Sequence, residues 1–317
     1  AADASNLAEW KDQSIVLCTL SENKGISANT NAGIELAAGD AVGLLDHDDL
    51  LTANALWEMA DCLEKEKKRG KQKLVLFSDE DKCDGAASRF YEPNFKPDFD
   101  GELLLTNNYI CHFTVIETVF LKELKLRSGF DGAQDYDLVL RAYAAGGQFV
   151  HVPKVLYHWR CHQDSTASNP QSKLYAFEAG SRAIMEHYHR MGIEAEKVEK
   201  GVDYGIYHTT FKIKDDPLVS VIIPNKDHRQ DLDLCIRSMI TRGTYKNLEF
   251  VVIENNSTDP ETFVYYEAIQ KEFPQVRVVT WTREFNYSAI NNFGVQAAKG
   301  QYLLFLNNDT ELIAENF

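Results

Sequence analysis

The chain has 317 residues, of which 44% are hydrophobic and 26% are charged, and its formal net charge is −15 at pH 7. This composition excludes a disordered or collagen-like chain, and the length allows one large domain or two ordinary ones. The acidic balance opposes nucleic acid or anionic lipid as a general partner, so a phosphorylated ligand would need a metal ion.

The cysteines and the chain terminus indicate a compartment. The six cysteines show no CxxC pair, so the sequence predicts neither a zinc site nor a disulfide framework and fits a reducing cytoplasm. The first ten residues, AADASNLAEW, do not resemble an export sequence. No apolar run reaches the 18 residues of a membrane span, so we expect no transmembrane segment.

Short apolar runs predict buried strands along the chain. They are SIVLCTL, AVGLL, KLVLFS, VSVIIP, LEFVVIE, VRVVTW and QYLLFL. Helical patterns lie between them, for example after Thr52, a candidate N-cap. Strands that alternate with helices predict an α/β fold with a mainly parallel sheet, helices on both faces, and ligands at the carboxyl ends of the strands.

The two ends of the chain repeat one pattern. SANTNAGIELAAGDAVGLLDHDDLL near the start matches SAINNFGVQAAKGQYLLFLNNDTELI near the end. Gly33 corresponds to Gly294 and Asp48 to Asp309, whereas Asn307 stands where the first copy has Asp46. A match of this length argues against two unrelated strands. Each copy is predicted to be a helix, a glycine stop, a strand and an acidic turn.

The two copies are not equally complete, because only the second is preceded by two further strand patterns. We expect residues 1–205 to be the carboxyl-terminal portion of one domain, 206–216 a linker, and 217–317 the amino-terminal half of another. The chain is then expected to be excised from a longer tandem protein. The alternative is a permuted domain, in which VSVIIP and LEFVVIE pair beside AVGLL within one chain or in a dimer.

The stretch GLLDHDDLL, residues 43–51, ends an apolar run in three carboxylates. Clustered carboxylates must be hydrated, protonated or neutralised by a cation, and oxygen ligands suit Mg²⁺ or Mn²⁺. The alternative is a solvated turn that caps the next helix. The preceding strand and the repeated glycine favour the metal site.

Several motifs in order resemble the family-two glycosyltransferases, and among them the tandem enzymes that build rhamnose-rich and other bacterial surface polysaccharides. The matching stretches are ENKGISANTNAGIELAAGD, LLDHDD, FSDEDK, GAQDYDLVLR, VLYHWR, VSVIIP, ENNSTD, FNYSAINNFG and LFLNNDT. The resemblance implies a GT-A fold, which is Rossmann-like, here in incomplete tandem units. It also implies inverting transfer of a sugar from a nucleoside diphosphate donor to a saccharide or lipid-linked saccharide, in the cytoplasm or at the inner face of the membrane.

The resemblance assigns the reacting groups. Asp46 and Asp48, with His158 as a further ligand, would hold Mn²⁺ or Mg²⁺ against the diphosphate. Asp135 matches the position of the catalytic base, which takes the proton of the acceptor hydroxyl. An ordinary helix cap is a close rival for Asp135. Gln134 departs from the Glu-Asp pair that the family often has here.

The remaining candidates bind donor or acceptor. Asp49 is expected to contact the donor sugar or to cap the following helix. The other donor-side candidates are Lys24, Asn31, Pro224, Glu254, Asn255, Asp259 and Asp309. The acceptor-side candidates are Asp79, Asp81, Asn108 and Trp159. Ordinary surface or core roles are the alternatives for Lys24, Asn31, Trp159 and the NNYICHF segment. For Asp79 and Asp81, the alternative is a solvated strand end.

Two other classes of protein remain open at this point. A metal-dependent phosphohydrolase also uses aspartates after a parallel strand, but the sequence offers no obvious lysine and acidic partners for it. A catalytically silent module that binds carbohydrate or nucleotide is the second alternative.

Overall fold

The computed structural model describes residues 15–161 and 174–314. The chain divides into two compact units, residues 1–212 and 213–317. Each unit is described by itself.

Unit 1 contains a six-stranded sheet, a two-stranded sheet and helices that pack on the larger sheet. Its strands are β1 (Ala41–Gly43), β2 (Leu50–Leu51), β3 (Leu74–Cys83), β4 (Phe90–Asn94), β5 (Thr114–Glu117), β6 (Gln148–Arg160), β7 (Ala195–Lys200) and β8 (Tyr207–Phe211). Its helices are α1 (Ile26–Leu36), α2 (Ala55–Lys68), α3 (Gly101–Leu104), α4 (Thr118–Leu124), α5 (Gln134–Ala144) and α6 (Leu174–Arg190), with a 3-10 turn at Ser128–Phe130.

The large sheet of unit 1 has the order β1-β5-β3-β6-β2, and β4 adds to β3. Among these strands only β3 and β6 pair in parallel, while β1–β5, β3–β5, β3–β4 and β2–β6 are antiparallel. The prediction of an α/β sheet is confirmed, but the sheet of this unit is mixed rather than mainly parallel. The antiparallel pairs arise because β4 and β5 return beside β3 before α5 leads to β6.

Strand β3 lies at the centre of unit 1. Residues 74–77 of β3, Leu-Val-Leu-Phe, are completely buried, and each such side chain contributes about 1.5–3 kcal/mol through burial. Phe77 belongs to a buried cluster with side chains of α5 and α6, and Leu76 belongs to a second cluster with side chains of α2. Helices therefore cover both faces of this strand.

Unit 2 is a parallel sheet with the order β11-β10-β9-β12. Its strands are β9 (Val219–Asn225), β10 (Leu248–Asn255), β11 (Val276–Trp281) and β12 (Tyr302–Phe305), and its helices are α7 (Arg229–Arg242), α8 (Pro260–Glu272) and α9 (Tyr287–Ala297). Strand β10 is buried along its whole length. This unit has the parallel, Rossmann-like arrangement that the apolar runs predicted.

Several local predictions were wrong. QYLLFL, predicted as a buried strand, forms β12, in which Tyr302, Leu303 and Phe305 are exposed. Residues 15–20, predicted as a strand, form no regular element, and Val16 and Leu17 are exposed. Their counterpart in unit 2 is β11, which pairs with β10, whereas the described part of unit 1 offers residues 15–20 no strand partner. Part of the predicted linker 206–216 forms β8, which pairs with β7.

The sheets also test the permuted domain. Strand β1 pairs with β5, and β9 lies between β10 and β12. The pairing of VSVIIP and LEFVVIE beside AVGLL within one chain is therefore not formed among the described residues.

The glycine that recurs in both copies of the repeat, Gly33 and Gly294, allows a test of stability. A Cβ on Gly294 would lie 2.5 Å from Ile253 Cδ1 and 2.6 Å from Ile222 Cγ2, whereas a Cβ on Gly33 would meet no atom within 4 Å. We expect Gly294→Ala to lower the free energy of unfolding by about 1–3 kcal/mol through overpacking. Gly33→Ala should raise it by about 0.5–1 kcal/mol, because alanine favours a helix interior. Urea unfolding followed by circular dichroism measures both, and equal effects of the two substitutions would contradict the packing difference.

Candidate active site

A cavity of about 140 Å³ in unit 1 brings the predicted metal ligand and the predicted base together. Asp46 follows β1 by three residues, and Asp135 is the second residue of α5. The cavity is lined by Ile26, Thr30, Leu44, Leu45, Asp46, Cys111, His112, Thr114, Leu126, Gln134, Asp135, Leu138 and Val139. Carboxylates from two distant parts of the sequence thus share one cavity of mixed polar and apolar lining.

Two neighbouring side chains fix the carboxylate of Asp135. Its Oδ2 accepts a hydrogen bond from Asn108 Nδ2 at 2.9 Å and one from Cys111 Sγ at 3.1 Å. Burial, and then the charge of Asp135, raise the pKa of the Cys111 thiol well above its ordinary value, so the thiol stays protonated and can donate. Asn108, predicted to bind the acceptor, orients Asp135 through this bond, and its contact with an acceptor stays a prediction.

Negative charge accumulates around Asp46. Its pKa is raised, first by loss of hydration and then by the nearby charges of Asp49, Asp135 and Asp48, while His112 opposes the shift. A bound cation would relieve this excess of negative charge. Carboxylate oxygens are the ligands that Mg²⁺ and Mn²⁺ take, so Asp46 and Asp48 fit a divalent cation by the chemistry of their donor atoms.

His158 does not complete a metal site in this structure. Its Nδ1 is hydrogen-bonded to Asp81 Oδ1 at 2.5 Å, and its ring lies 4.5 Å from that of Phe90. Across residues 15–161 and 174–314, no group of three or more His, Cys, Asp or Glu side chains is arranged to hold a metal ion. The predicted set of Asp46, Asp48 and His158 is therefore not assembled here.

Asp49 is held inside unit 1. Its Oδ1 accepts from the backbone N–H of Arg160 at 2.8 Å, and its Oδ2 accepts from the hydroxyl of Tyr157. Burial, followed by the bond to Asp49, raises the pKa of Tyr157. Neither Thr52 nor Asp49 is the cap predicted for the following helix, since the N-cap of α2 is Asn54. Because both oxygens already have donors, the geometry favours a structural role over contact with a donor sugar.

Three consecutive carboxylates of β3 each hold a histidine. Asp79 bonds to His151 Nε2 at 2.8 Å, Glu80 to His112 Nδ1 at 3.1 Å, and Asp81 to His158. Neither Asp79 nor Asp81 is a solvated strand end.

Asp79 is also closed to an acceptor. It is only 3% exposed and accepts the backbone N–H of Lys96 at 2.9 Å in addition to the His151 ring. Trp159 is half-buried, 5.7 Å from the His112 ring and 6.0 Å from Lys82 Nζ. Contact of this indole with an acceptor sugar stays a prediction.

The donor-side candidates of unit 1 are engaged elsewhere. Asn31 exchanges two hydrogen bonds of 2.8 Å with the backbone of Leu126, which ties α1 to the chain after α4. Lys24 is exposed and pairs with Glu22 at 3.1 Å. Neither residue lines the cavity.

The strand ends of unit 2 carry a buried polar network. Glu254 accepts hydrogen bonds from both the backbone and the hydroxyl of Ser257 and from the Tyr266 hydroxyl at 2.7 Å. Asn225 Nδ2 donates to the same tyrosine oxygen, and Asn308 Nδ2 donates to Asn225 Oδ1 at 2.7 Å.

The other candidates of unit 2 differ in exposure. Asp259 caps α8 and pairs with Arg229 at 2.6 Å, and Asn255 is buried. Pro224 lies in β9 opposite Ile253, and Asp309 is exposed in the turn after β12. Contact of these residues with a nucleotide stays a prediction.

Sequence reasoning missed His112, Glu80, Cys111 and Lys96. The side chain of Lys96 is buried and donates to the carbonyls of Ile110, at 3.1 Å, and His112. The sequence carried a signal for three of them, since ICHF contains Cys111 and His112 and FSDEDK contains Glu80. It was hidden because ICHF has the pattern of an ordinary core strand.

The sequence model of a protein family described as Glycosyl transferase family 2 matches residues 1–124 and 220–316, which are more than half of the chain. The chain belongs to this family of sugar-transferring enzymes, and the mixed and parallel sheets flanked by helices agree with the predicted GT-A fold. In the described part of the chain, no helix is long and apolar enough to cross a membrane.

Curated relatives extend the comparison. The O-antigen biosynthesis protein RfbC of Myxococcus xanthus is 36% identical over 307 residues, which are 96% of this chain and 23% of that protein. An uncharacterised protein of Sinorhizobium fredii, y4gI, is 36% identical over 93% of this chain and 32% of its own length. A chondroitin synthase of Pasteurella multocida is 30% identical over 46% of this chain and 15% of its length. The chain thus spans a third or less of these relatives.

The anchoring of Asp49 can be tested by removing one hydroxyl. Tyr157→Phe leaves Oδ2 of the buried Asp49 carboxylate without its donor, while Oδ1 keeps the Arg160 N–H, and we expect a loss of about 1.5–3 kcal/mol in the free energy of unfolding. The matched control is Tyr136→Phe, because that buried hydroxyl donates to a neutral acceptor, the carbonyl of Leu104, and its loss should cost about 1 kcal/mol. Urea unfolding compares the two, and an equal cost would show that Asp49 gains nothing special from Tyr157.

Proposed function

We propose that unit 1 transfers a sugar from a nucleoside diphosphate sugar to a hydroxyl group of a saccharide acceptor, with inversion at the anomeric carbon. The observation that carries the proposal is the shared cavity of Asp46 and Asp135. An inverting transfer needs one group at the leaving diphosphate and one base at the attacking hydroxyl. Two carboxylates at one enclosure, on separate elements, meet that requirement.

In this proposal Asp135 is the base. Its carboxylate takes the proton of the acceptor hydroxyl while that oxygen forms a bond to the anomeric carbon, and the bond from that carbon to the diphosphate oxygen breaks. Asn108 and Cys111 hold one carboxylate oxygen by donating to Oδ2. The other oxygen, Oδ1, is then presented in a fixed orientation.

Asp46 and Asp48 are the residues that would hold a divalent cation, Mn²⁺ or Mg²⁺. When bound there, the cation would neutralise charge on the departing diphosphate. The raised pKa of Asp46 supports this role, because the carboxylates that cause part of the shift are the excess charge that a cation offsets. His158 would join them only after release from Asp81.

The acceptor is proposed to be a growing bacterial surface polysaccharide, free or lipid-linked. The name of the Myxococcus relative, which is an O-antigen biosynthesis protein, supports this class of product. We place the reaction in the cytoplasm, at the inner face of the membrane when the acceptor is lipid-linked. All six cysteines lie in the described residues and none forms a disulfide, which suits a reducing compartment.

Unit 2 is proposed to be the nucleotide-binding half of a second GT-A domain, and unit 1 the remainder of a first. Glu254, Asn255, Asp259 and Asp309 remain its donor-side candidates. The alternative is a fragment that binds nucleotide or carbohydrate without catalysis. One observation favours that alternative: Asp46, Asp48 and His158 are not arranged around a common metal position in the described residues.

Substitution of the proposed base, Asp135, distinguishes sugar transfer from binding without catalysis. Asp135→Asn should reduce sugar transfer by roughly 10²–10⁴-fold, the usual contribution of a general base, and should leave donor binding unchanged. Transfer is measured by release of nucleoside diphosphate in the presence of Mn²⁺ and an oligosaccharide acceptor. The control is Asp61→Asn, whose side chain pairs with Lys65 on the surface of α2. Full transfer by the Asp135 variant would refute its role.

Metal dependence is a separate prediction. Calorimetric titration with UDP, dTDP and GDP should show binding of one of them in Mn²⁺ and none in EDTA. Asp48→Ala should weaken that binding by at least about 10-fold, since it removes one of two proposed charged ligands. Nucleotide binding that persists in EDTA would contradict a metal at Asp46 and Asp48.

A further inference from the structure

The three histidines held by β3 differ in what their second ring nitrogen meets. His151 is 5% exposed, bonds to Asp79 through Nε2, has its other nitrogen 3.6 Å from Asp98, and stacks on Phe77 at 5.0 Å. His112 bonds to Glu80 through Nδ1, and no other described residue hydrogen-bonds its Nε2. Of His112, His151 and His158, only His112 lines the cavity that holds Asp46 and Asp135.

The ring of His112 is held in a fixed orientation. Its backbone N–H donates to Glu80 Oε2 at 2.7 Å, so the same carboxylate oxygen fixes both the main chain and the ring. The ring stacks on Tyr157 at 5.0 Å with an interplanar angle of 15°. The carbonyl of His112 accepts from the buried amino group of Lys96. An imidazole mounted in this way presents Nε2 with little freedom to turn.

The charge of the cavity points to the ligand of this nitrogen. Burial alone lowers the pKa of His112, but the bond to Glu80 and the charges of Glu80, Asp135 and Asp46 outweigh burial and raise it. No lysine or arginine is among the residues that line the cavity. Of the residues that line the cavity, His112 is therefore the one whose pairing with a carboxylate, Glu80, favours a positive charge, beside the two carboxylates Asp46 and Asp135.

We propose that His112, held by Glu80, donates a hydrogen bond from Nε2 to the diphosphate of the donor, on the side of the bond that breaks. This inference rests on the proposed function, because it assumes that the diphosphate lies at Asp46. The departing oxygen gains negative charge as its bond to the anomeric carbon breaks, and a cationic donor strengthens its hydrogen bond as that charge develops. The proton stays on His112, so the base remains Asp135.

The experiment measures anion binding rather than transfer. The full chain is titrated with inorganic pyrophosphate in Mn²⁺ by calorimetry, as wild type, His112→Gln and His151→Gln. We expect His112→Gln to weaken pyrophosphate binding by roughly 10-fold or more, as for loss of a charge-assisted hydrogen bond. His151→Gln removes a ring that also pairs with a carboxylate of β3 but does not line the cavity, and should leave binding unchanged. Thermal unfolding of each variant confirms that it is folded.

Glu80→Gln provides a second variant if His112→Gln does not fold. This substitution keeps an acceptor for Nδ1 but removes the negative charge that favours a protonated ring. It should weaken the binding of pyrophosphate several-fold. Unchanged binding in the folded His112 or Glu80 variants would overturn the proposal. Equal weakening by His151→Gln would also overturn it, since the effect would then be structural.

The outcome is distinguishable from failure of the proposed function. Mn²⁺ binding that requires Asp48, together with sugar transfer that requires Asp135, would leave the proposed function intact even if His112 has no effect on pyrophosphate. A wild-type chain that binds Mn²⁺ but no pyrophosphate would overturn the role of His112 alone. A chain that binds no Mn²⁺ and transfers no sugar would refute the proposed function itself.

Discussion

The structure of unit 1 depends on how the carboxylates in the acidic half of β3 find hydrogen-bond partners. The strand begins with four completely buried apolar residues and continues through the buried Ser78 into Asp79, Glu80 and Asp81. The apolar half anchors the strand in the centre of the sheet, so the carboxylates that follow cannot all reach water. A buried carboxylate is costly unless it is paired. Each one recruits a histidine, and these partners come from β6 and from the segment before β5.

This pairing of carboxylates with histidines also shapes the cavity. The segment that carries His112 carries Cys111 next to it, and Lys96 holds the two carbonyls that flank Cys111. Fixing the histidine for Glu80 therefore also fixes the thiol that donates to Asp135. The structural need of β3 and the geometry of the site are met by the same few residues, so a change in Glu80 should be felt at both.

The sequence predicted the α/β class, because this class follows from apolar periodicity. The family resemblance, rather than periodicity, assigned Asp46 and Asp135 to one reaction, and both line one cavity. The sequence could not predict the partners of β3, since each histidine lies roughly 30–80 residues away and only the fold brings it near. Residues 15–20 show the opposite failure. Their apolar run is typical of a strand, but a strand also needs a neighbour with which to exchange hydrogen bonds, and periodicity does not report one.

The repeat shows how one sequence pattern can serve two environments. In unit 2, α9 lies so close to β9 and β10 that a Cβ at position 294 would force the side chains of Ile253 and Ile222 to shift, whereas the equivalent Gly33 of α1 faces open space. The acidic turn differs as well. Asn307 replaces the aspartate equivalent to Asp46, and Asn308 is tied to Asn225 by a hydrogen bond between neutral amides. The turn of unit 2 therefore carries less negative charge than LLDHDD, and has a weaker electrostatic reason to bind a divalent cation. If both turns meet a diphosphate, unit 2 must rely more on hydrogen-bond donors and unit 1 on a cation.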